Sequence, residues 1–404
     1  MVIDRVTVPD EVLLKKLESK EYFLHFVPEK INHLTEVKKI KYKGENLKTS
    51  YLIDIVHGMF MKYHQKNQNS CYLNSLVLKD RYGHKYNYYI DYLKQMKVIS
   101  KVGNYLVGTK SNRYELCPDV ISGTTTRWIN SDKILLRKYS KNVFLNEIKG
   151  GNKYIHTHIK KKLVLDLFSV DIDYRKSMQY LDNIKDKDSD IYVKNAYSVD
   201  SIRNDHIFFH FDKYGRMHTN FTILKSHIRK NFLTIDNEPT FEVDIPNSQP
   251  SLLMKLIEDS GTKWVNQDEF ELFKELLMYG RYYQYVCDEL KLSNKKSAKK
   301  LTYKVLFGRN HENSKVDMAF RKLFPTIHNY IKLYKKEKGD YKVLSYDLQQ
   351  TESTMIYNTI IDRIIDIDPN IKMITVHDSI MGKESDRGII EKVFYEEMQK
   401  YLGI

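Results

Sequence analysis

Two aspartates at predicted strand ends are the residues of this 404-residue chain best placed for metal chemistry. Asp244 lies near the end of the predicted strand Phe241 to Ile245, which is predicted to lead into a helix. Asp378 lies at the tip of a predicted strand–turn–strand. If the strands are neighbours in one sheet, the two carboxylates can bind two Mg²⁺ ions about 3.5–4 Å apart, because hard cations take oxygen ligands. Such a pair would activate a 3′-hydroxyl and hold a triphosphate.

A lysine-rich segment, Lys295 to Gly308, lies between the two aspartates in sequence. On a helix, Lys295, Lys299, Tyr303 and Phe307 are spaced four apart and form one stripe of two cations followed by two aromatic rings. Gly308 can end that helix. Cations neutralise charge that develops on phosphates, and a flat ring can lie against a base or sugar. The stripe therefore predicts a surface for a nucleoside triphosphate.

Each of these features alone has a simpler explanation. Aspartates at strand ends more often form caps or turns, and His377 beside Asp378 can be only a turn residue. A lysine-rich helix usually faces solvent, and its aromatic residues usually pack in a core. A further pair, Asp171 and Asp173, is interpreted as solvated carboxylates. The order and spacing of the three features together favour a functional site.

The composition narrows the class of protein. The formal net charge is +14, which favours a polyanionic partner such as nucleic acid, although AT-rich codon usage is an alternative source of lysine. The three cysteines are isolated, without zinc spacing, so a secreted disulfide framework is not expected. The sequence has no signal-peptide pattern and no apolar run long enough to span a membrane. We therefore expect a soluble, cytoplasmic protein.

Sequence patterns divide the chain into four segments. Residues 1–50 are charged and partly helical. Residues 51–120 predict a winged-helix-like basic domain, with short helices at Tyr72–Leu78 and Tyr86–Met96 and a two-stranded wing from Val98 to Leu116. Residues 118–126 are interpreted as a linker, residues 127–205 as a helical, thumb-like region, and residues 206–404 as the catalytic part. The basic residues of the second segment that suit phosphate contacts are Lys79, Arg81, Lys85, Lys97, Lys101, Lys110 and Arg113. A structural domain with a solvated basic face is the alternative.

The catalytic part has a clear pattern of elements. The predicted strands are 207–211, 241–245, 372–376 and 379–381, and the predicted helices are 270–290, 295–307 and 349–365. Residues 214–222 are interpreted as a loop rich in hydrogen-bond donors. Asn247 and Ser248 are candidate helix N-caps after Asp244.

The segment from Lys295 to Gly308 is similar to motif B of A-family DNA polymerases and single-subunit phage RNA polymerases. That motif places a basic residue, a lysine, an aromatic residue and a Tyr-Gly pair at intervals of four. Lys299 matches the lysine, Tyr303 matches the aromatic residue that faces the nucleotide, and Lys295 stands where arginine is usual. Phe307 takes the place of the terminal tyrosine.

Four other segments resemble the same family and follow its order over residues 207–404. Val243-Asp244 with Asn247-Ser248-Gln249 resembles motif A, and Val376-His377-Asp378-Ser379 resembles motif C. Gly215-Arg216 with Thr219, and Leu348 to Thr351, resemble segments that contact the primer and template. The resemblance implies the following roles: Asp244 and Asp378 as metal ligands, Lys299 in catalysis, Lys295, Lys299, Tyr303, Phe307 and Gln249 at the nucleotide, and Arg216, Thr219, Gln349 and His377 at the nucleic acid.

The resemblance implies an α+β fold of the right-hand polymerase type. An antiparallel palm sheet with helical fingers would follow the winged-helix-like and helical N-terminal regions. The expected activity is template-directed nucleotidyl transfer to a primer–template, as a compact DNA polymerase using Mg²⁺ or Mn²⁺. Phe307 lacks a hydroxyl, and Ser379 after Asp378 is closer to the RNA polymerase pattern, so an RNA polymerase or primase of the same fold is an alternative. A non-catalytic DNA-binding replication initiator is the third possibility.

Overall fold

The computed structural model describes residues 8–36, 39–66, 70–104, 111–150, 152–184, 189–261, 265–309 and 314–403. Over these residues the chain has a mostly helical α+β fold with small antiparallel sheets. The predicted wing strand from Tyr105 to Val107, and the basic residue Lys110, lie outside the described residues.

The α-helices are numbered in chain order. Those of the N-terminal half are α1 Asp10–Glu18, α2 Asn32–Thr35, α3 Thr49–Lys66, α4 Ser75–Tyr82, α5 Tyr86–Gln95, α6 Pro118–Ile121, α7 Lys133–Val143, α8 Thr157–Leu167, α9 Tyr174–Asp182 and α10 Ser189–Arg203. Those of the C-terminal half are α11 Asn220–Ile223, α12 Ser226–Phe232, α13 Ser248–Asp259, α14 Gln267–Met278, α15 Tyr282–Leu290, α16 Lys295–Phe307, α17 Lys315–Leu323, α18 Pro325–Glu337, α19 Val343–Ser353, α20 Asp362–Ile367 and α21 Arg387–Leu402.

Two π-helical segments and two 3₁₀ turns supplement these helices. Phe144–Gly150 continues α7, and Thr354–Ile361 joins α19 to α20; the 3₁₀ turns are Glu29–Ile31 and Glu384–Asp386.

The strands are also numbered in chain order. They are β1 Phe23–Pro28, β2 Lys39–Tyr42, β3 Glu45–Lys48, β4 Ser70–Tyr72, β5 Ile99–Gly103, β6 Arg113–Leu116, β7 Thr125–Asn130, β8 Val170–Ile172, β9 Phe209–Phe211, β10 Met217–Thr219, β11 Leu233–Ile235, β12 Glu238–Asp244, β13 Met373–Val376 and β14 Ser379–Lys383. They form a five-stranded sheet of order β13-β14-β12-β11-β8, a three-stranded sheet of order β4-β6-β5, and the pairs β1-β7, β2-β3 and β9-β10.

A strand pair joins two segments of the N-terminal half that are about 100 residues apart in sequence. β1 and β7 run antiparallel from Phe23 opposite Asn130 to Pro28 opposite Thr125. The prediction of a linker at residues 118–126 is therefore wrong, because this segment contains α6 and the start of β7. Residues 1–50, predicted to be irregular and partly helical, also supply three strands.

Between β3 and α6, the element order is helix, strand, helix, helix, strand, strand. The predicted second helix is α5, and the predicted wing contains β5 and β6. The helix predicted from Tyr72 begins later, because Tyr72 is the last residue of β4 and Asn74 caps α4 through the Leu76 amide, 2.8 Å from Asn74 Oδ1. Arg81, predicted as a phosphate contact, instead lies 4.5 Å from the centre of the Tyr139 ring.

A cavity of about 440 Å³ lies where the N-terminal half meets the strand β9. Its lining includes Arg81, His25, His57 and Phe208. Arg81 is the one lining residue that the sequence predicted as a phosphate contact, and the lining includes none of the residues predicted for the metal, the nucleotide or the primer. This cavity is therefore separate from the predicted chemistry.

The five-stranded sheet is the framework of the C-terminal half. β12 pairs with β14 from Thr240 opposite Lys383 to Asp244 opposite Ser379, and β14 pairs with β13 through the turn at residues 377–378. β8, at the edge of this sheet, comes from the segment predicted to be helical, residues 127–205. One strand of this sheet therefore comes from residues that precede the catalytic part predicted to begin at residue 206.

Other element predictions differ from the structure in defined places. The helix predicted over 270–290 is two helices, α14 and α15, because the chain turns at Gly280 with a φ of 63°, which glycine adopts readily. The loop predicted over 214–222 contains β10 and the start of α11. Asn247 occupies the N-cap of α13 but has a φ of 51°, and its side chain makes no capping hydrogen bond.

Among the described residues, no helix combines the length and the apolar character that crossing a membrane requires.

Two imidazoles hold the backbone of β1. His57 Nδ1 lies 3.1 Å from the Phe26 amide nitrogen and 3.0 Å from the Phe26 carbonyl oxygen, and His206 Nδ1 lies 3.1 Å from the Leu24 amide nitrogen. A ring nitrogen that accepts an N–H must be unprotonated. Burial lowers the pKa of His57 to about 3 and that of His206 to about 4, and neighbouring cationic groups add to the effect.

These histidines predict acid sensitivity of the N-terminal half. Because their pKa values are lowered by folding, their stabilisation is complete above about pH 6.5 and is lost as the pH falls towards 4. At pH 5 the unfolding free energy is lower than at neutral pH by about 2 kcal/mol for each of the two histidines. Urea unfolding at pH 7.5 and 5.0 should show this loss, and His57→Gln, which retains an acceptor but does not titrate, should reduce it. The exposed His33→Gln is the control and should leave the pH dependence unchanged.

Candidate active site

Strand register brings the two predicted metal-binding aspartates to the same edge of the five-stranded sheet. Asp244 is the last residue of β12 and pairs with Ser379, the first residue of β14. Ser379 also pairs with Val376 at the end of β13, so Asp378 lies in the turn immediately beside this pair. Asp244 is exposed and Asp378 is half-buried. The carboxylates therefore lie on adjacent strands at an edge that solvent can reach.

The turn that carries Asp378 is held by its neighbours. His377 has a φ of 57°, the left-handed conformation that closes the hairpin. Ser379 Oγ lies 2.7 Å from Glu242 Oε1 and 2.9 Å from the Val376 carbonyl oxygen. Arg229 Nη2 lies 3.4 Å from the same Glu242 oxygen. Ser379, the residue that departs from the DNA polymerase pattern, thus links the turn to β12.

The predicted stripe occupies one helix, α16, whose bounds agree with the prediction. Asn294 caps its start by accepting the Ser297 amide at 3.0 Å. Lys295 and Lys299 are exposed, whereas Tyr303 and Phe307 are half-buried. The residues of the opposite face, which pack in the core, are Ala298, Thr302, Val305 and Leu306. The stripe is therefore less buried than the core-packed face, and the row Lys296, Lys300 and Lys304 beside it is exposed.

Within the stripe, neighbouring side chains contact one another. Lys299 Nζ lies 5.4 Å from the centre of the Tyr303 ring, and the Tyr303 and Phe307 rings are 5.2 Å apart. Burial raises the pKa of Tyr303, the Lys299 ammonium lowers it, and the Asp378 carboxylate adds to the rise. The same carboxylate adds to the rise in the pKa of Tyr283, which burial dominates. Tyr303 of α16 and Tyr283 of α15 therefore lie within electrostatic reach of Asp378.

A buried lysine supports the end of α16 and was missed by the sequence analysis. Lys335, on α18, donates to the Val305 carbonyl at 2.7 Å and to the Gly308 carbonyl at 2.9 Å. These carbonyls belong to the helix terminus, where no intrahelical donor is available. Burial lowers the pKa of Lys335 to about 8. Its position fixes the helix end that carries Phe307.

Glu352, on α19, joins three segments of the site and was also missed. It is 1% exposed, and Arg216 donates to its Oε1 from Nε at 2.8 Å and from Nη2 at 2.6 Å. Ser248 Oγ and Gln249 Nε2 donate to its other oxygen at 2.9 Å and 2.6 Å. Burial raises the pKa of Glu352, and Arg216 opposes that rise. One carboxylate thus connects the Gly-Arg segment, the residues after Asp244 and the helix of Gln349.

The structure gives definite positions to the remaining predicted residues. Gln249, predicted to lie at the nucleotide, is buried; its amide nitrogen donates to Glu352, and its Oε1 has no hydrogen-bond partner. Thr219 is fully buried, and its hydroxyl caps α11 through the Phe221 amide at 3.1 Å, so it serves the fold. Gln349 is half-buried and donates to Ser345 Oγ at 2.9 Å.

His377 and Arg216 lie together at the edge of the site. The His377 and His218 rings are 6.2 Å apart, and His218 Nε2 is 2.9 Å from Asp212 Oδ2. Burial lowers the pKa of His377, the neighbouring Arg216 and His218 lower it further, and the Asp378 carboxylate opposes the effect. His377 is therefore neutral at physiological pH, and its ring reaches solvent beside Asp378.

Gly215 permits the close approach of α19 to the Gly-Arg segment. Its φ is 96°, and a Cβ at this position would lie 2.9 Å from Ser353 Cβ. A side chain would be strained by the backbone conformation and would also displace α19. The approach allows the neighbouring Arg216 to reach Glu352.

The sequence matches no known family and no curated protein. Among solved structures, the chain is similar to the POL domain of Pol1 from M. smegmatis, determined in complex with DNA primer-template and dNTP. The sequence identity is 11%, the match covers 67% of this chain and 72% of that chain, and the TM-score is 0.35. A likeness at this TM-score does not decide the function of this chain.

Glu352 predicts a large loss of stability on truncation. Glu352→Ala should lower the unfolding free energy by about 3–5 kcal/mol, because Arg216 would remain in the protein without its charge partner. Urea unfolding at pH 7.5 measures the change. Glu391→Ala is the control, since its pair with Arg387 is at the surface, at 2.9 Å, and should contribute about 0–1 kcal/mol. Similar losses in the two variants would contradict the role assigned to Glu352.

Proposed function

We propose that this chain is a template-directed nucleotidyltransferase, and specifically a compact DNA polymerase that extends a 3′-hydroxyl with deoxynucleotides. The observation that carries the proposal is the register of β12 with β14, which brings Asp244 and Asp378 to one sheet edge. Tyr303, the third residue of the stripe on α16, lies within electrostatic reach of Asp378. Carboxylates, cations and half-buried rings are the groups that this reaction requires.

The residues present fit Mg²⁺, and Mn²⁺ shares the same preference for oxygen. The two donors at the edge are carboxylates, and Asp244 is exposed, so hydrated ions and phosphates can reach them. When bound, a pair of such ions would activate the attacking 3′-hydroxyl and stabilise the leaving pyrophosphate. The protein contributes fixed positions for both carboxylates at the ends of paired strands.

The other residues bind and orient the substrates. Lys295 and Lys299 would bind the triphosphate and offset the negative charge that develops on it. Tyr303 and Phe307 would pack against the nucleotide. Arg216, Gln349 and His377 would face the primer terminus, and Arg216 is oriented for this by its two hydrogen bonds to Glu352. The neutral ring of His377 can donate or accept a hydrogen bond there without adding charge.

The second candidate is an RNA polymerase or primase with the same site. Ser379 favours it, because a serine after Asp378 is closer to the RNA polymerase pattern, whereas Phe307 leaves the choice of sugar open. Gln249 favours it as well. Its amide nitrogen donates to Glu352, and its oxygen, which has no partner, is an acceptor that suits the 2′-hydroxyl of a ribonucleotide. Extension assays with dNTPs and with NTPs, each with and without a primer, separate the two activities.

The third candidate is a DNA-binding replication initiator without catalysis. The arrangement of α3, α4 and α5 with the β4-β6-β5 sheet favours it, because this arrangement resembles winged-helix modules. This candidate predicts salt-dependent DNA binding without nucleotide incorporation under Mg²⁺ or Mn²⁺.

Loss of either aspartate should abolish the proposed reaction. Asp244→Asn and Asp378→Asn should each reduce Mg²⁺-dependent primer extension at least 1000-fold, roughly the scale of an essential catalytic group, with little change in stability. The control is Asp171→Asn, which changes an exposed aspartate on β8 at the far edge of the same sheet. Near wild-type extension by either site variant would exclude this assignment.

The stripe predicts a second effect, on nucleotide affinity. Lys299→Ala should raise the KM for the incoming nucleotide about 10- to 100-fold, since a hydrogen bond to a charged group is worth about 1.5–3 kcal/mol. Steady-state extension with varied nucleotide concentration measures it. Lys300→Ala is the matched control, because Lys300 is exposed on the same helix but outside the stripe. Equal KM values for the two variants would show that the stripe does not bind the triphosphate.

A further inference from the structure

Two histidines and an aspartate form a separate cluster of metal-ligating groups. His156 is the N-cap residue of α8, His158 is the second residue of that helix, and Asp362 begins α20. One ligand atom from each residue lies within 4.8 Å of the other two. His158 Nε2 and Asp362 Oδ1 are 2.7 Å apart. The cluster joins segments that are about 200 residues apart in sequence.

The side chain of Asn358 holds the backbone next to His156 through two hydrogen bonds. Asn358 Oδ1 accepts the His156 amide at 3.3 Å, and Asn358 Nδ2 donates to the Tyr154 carbonyl at 2.5 Å. Asn358 lies in the π-helical segment that precedes α20, one turn before Asp362. The two segments are therefore aligned by contacts that do not use the ligand atoms themselves.

We propose that His156, His158 and Asp362 bind one divalent transition-metal ion, with Zn²⁺ as the best fit. Two imidazole nitrogens and one carboxylate oxygen suit Zn²⁺, Co²⁺ or Ni²⁺ far better than Mg²⁺, which prefers oxygen ligands. Three protein ligands leave a fourth position for water. The site differs in donor chemistry from the paired aspartates of the candidate active site, and the proposal does not depend on the activity.

The geometry needs only side-chain adjustment to accept the ion. Ligand atoms on one tetrahedral Zn²⁺ lie roughly 3.3 Å apart, given bonds of about 2.0–2.1 Å. His158 and Asp362, now in hydrogen-bond contact, would separate slightly as the ion replaces the proton between them. His156 is exposed, so its ring can rotate inward. The side chains of His158 and Asp362 are 18% and 12% exposed, which leaves the ion an entry path.

A bound metal ion would cross-link the start of α8 to the start of α20. α20 continues through the π-helical segment from α19, which contains Glu352 and Gln349. Binding to the folded state alone adds stability by mass action. The ion is thus expected to raise the thermal midpoint of the chain.

The test is binding of Co²⁺ and Zn²⁺ to the metal-stripped full chain in excess Mg²⁺, followed by absorption spectroscopy and calorimetry. The expected result is one Co²⁺ per chain with the visible bands of a tetrahedral site, displaced by Zn²⁺, and a raised thermal midpoint. His156→Ala and Asp362→Asn should each weaken binding at least tenfold, and Asp244→Asn should leave it unchanged. The exposed position of His156 makes its loss harmless to folding.

The matched control is His210→Ala. His210 Nδ1 lies 3.0 Å from Glu147 Oε1, a histidine–carboxylate pair that is not part of a three-ligand group among the described residues. This variant should bind Co²⁺ as the wild type does. Absence of a stoichiometric Co²⁺ site, or binding that survives His156→Ala unchanged, would overturn the proposal whether or not the chain extends a primer.

Discussion

The antiparallel register of β12 with β14 is the constraint on which the candidate site depends. It sets Asp244 opposite Ser379 and so places it next to the turn that carries Asp378. A slip of one residue would turn every side chain of β12 to the other face of the sheet and separate the two carboxylates. The register is fixed by burial, since Phe241 and Val243 are in the core while Asp244 is exposed. Folding of the sheet and assembly of the site are therefore the same event.

Buried charged residues then attach the helices to this sheet. Glu352 receives hydrogen bonds from Arg216, Ser248 and Gln249, and Lys335 caps the carbonyl end of α16. Burying such groups is costly unless each is fully paired, so their neighbours cannot move independently. The same contacts that stabilise the fold thus hold Arg216 and α16 in fixed positions around the aspartates. The contact between Gly215 and Ser353 adds a steric limit at the same junction.

Local sequence signals predicted the elements whose boundaries are set locally. α16 has an N-cap at Asn294 and a glycine at its end. The end of β12 alternates apolar and acidic residues, and β13 and β14 are short, buried strands on either side of a turn. Long-range features were not predictable in this way. The pairing of β1 with β7 joins residues about 100 positions apart, so residues 118–126 were mistaken for a linker. Glu352 and Lys335 were missed because a buried, paired charge has the same sequence pattern as a solvated one. Thr219 forms a capping box with Thr222, which stands where the sequence signature has glutamate or glutamine, so its structural role was not evident from the sequence.

The central claim is that Asp244 and Asp378 belong to one two-metal site, and electron paramagnetic resonance of bound Mn²⁺ tests it most directly. Mn²⁺ is titrated into the chain together with a non-hydrolysable nucleoside triphosphate. The account predicts two Mn²⁺ ions about 3.5–4 Å apart, whose spins couple, and loss of the coupled signal in Asp378→Asn. Uncoupled Mn²⁺ in the wild type, or a coupled signal that persists in that variant, would contradict it.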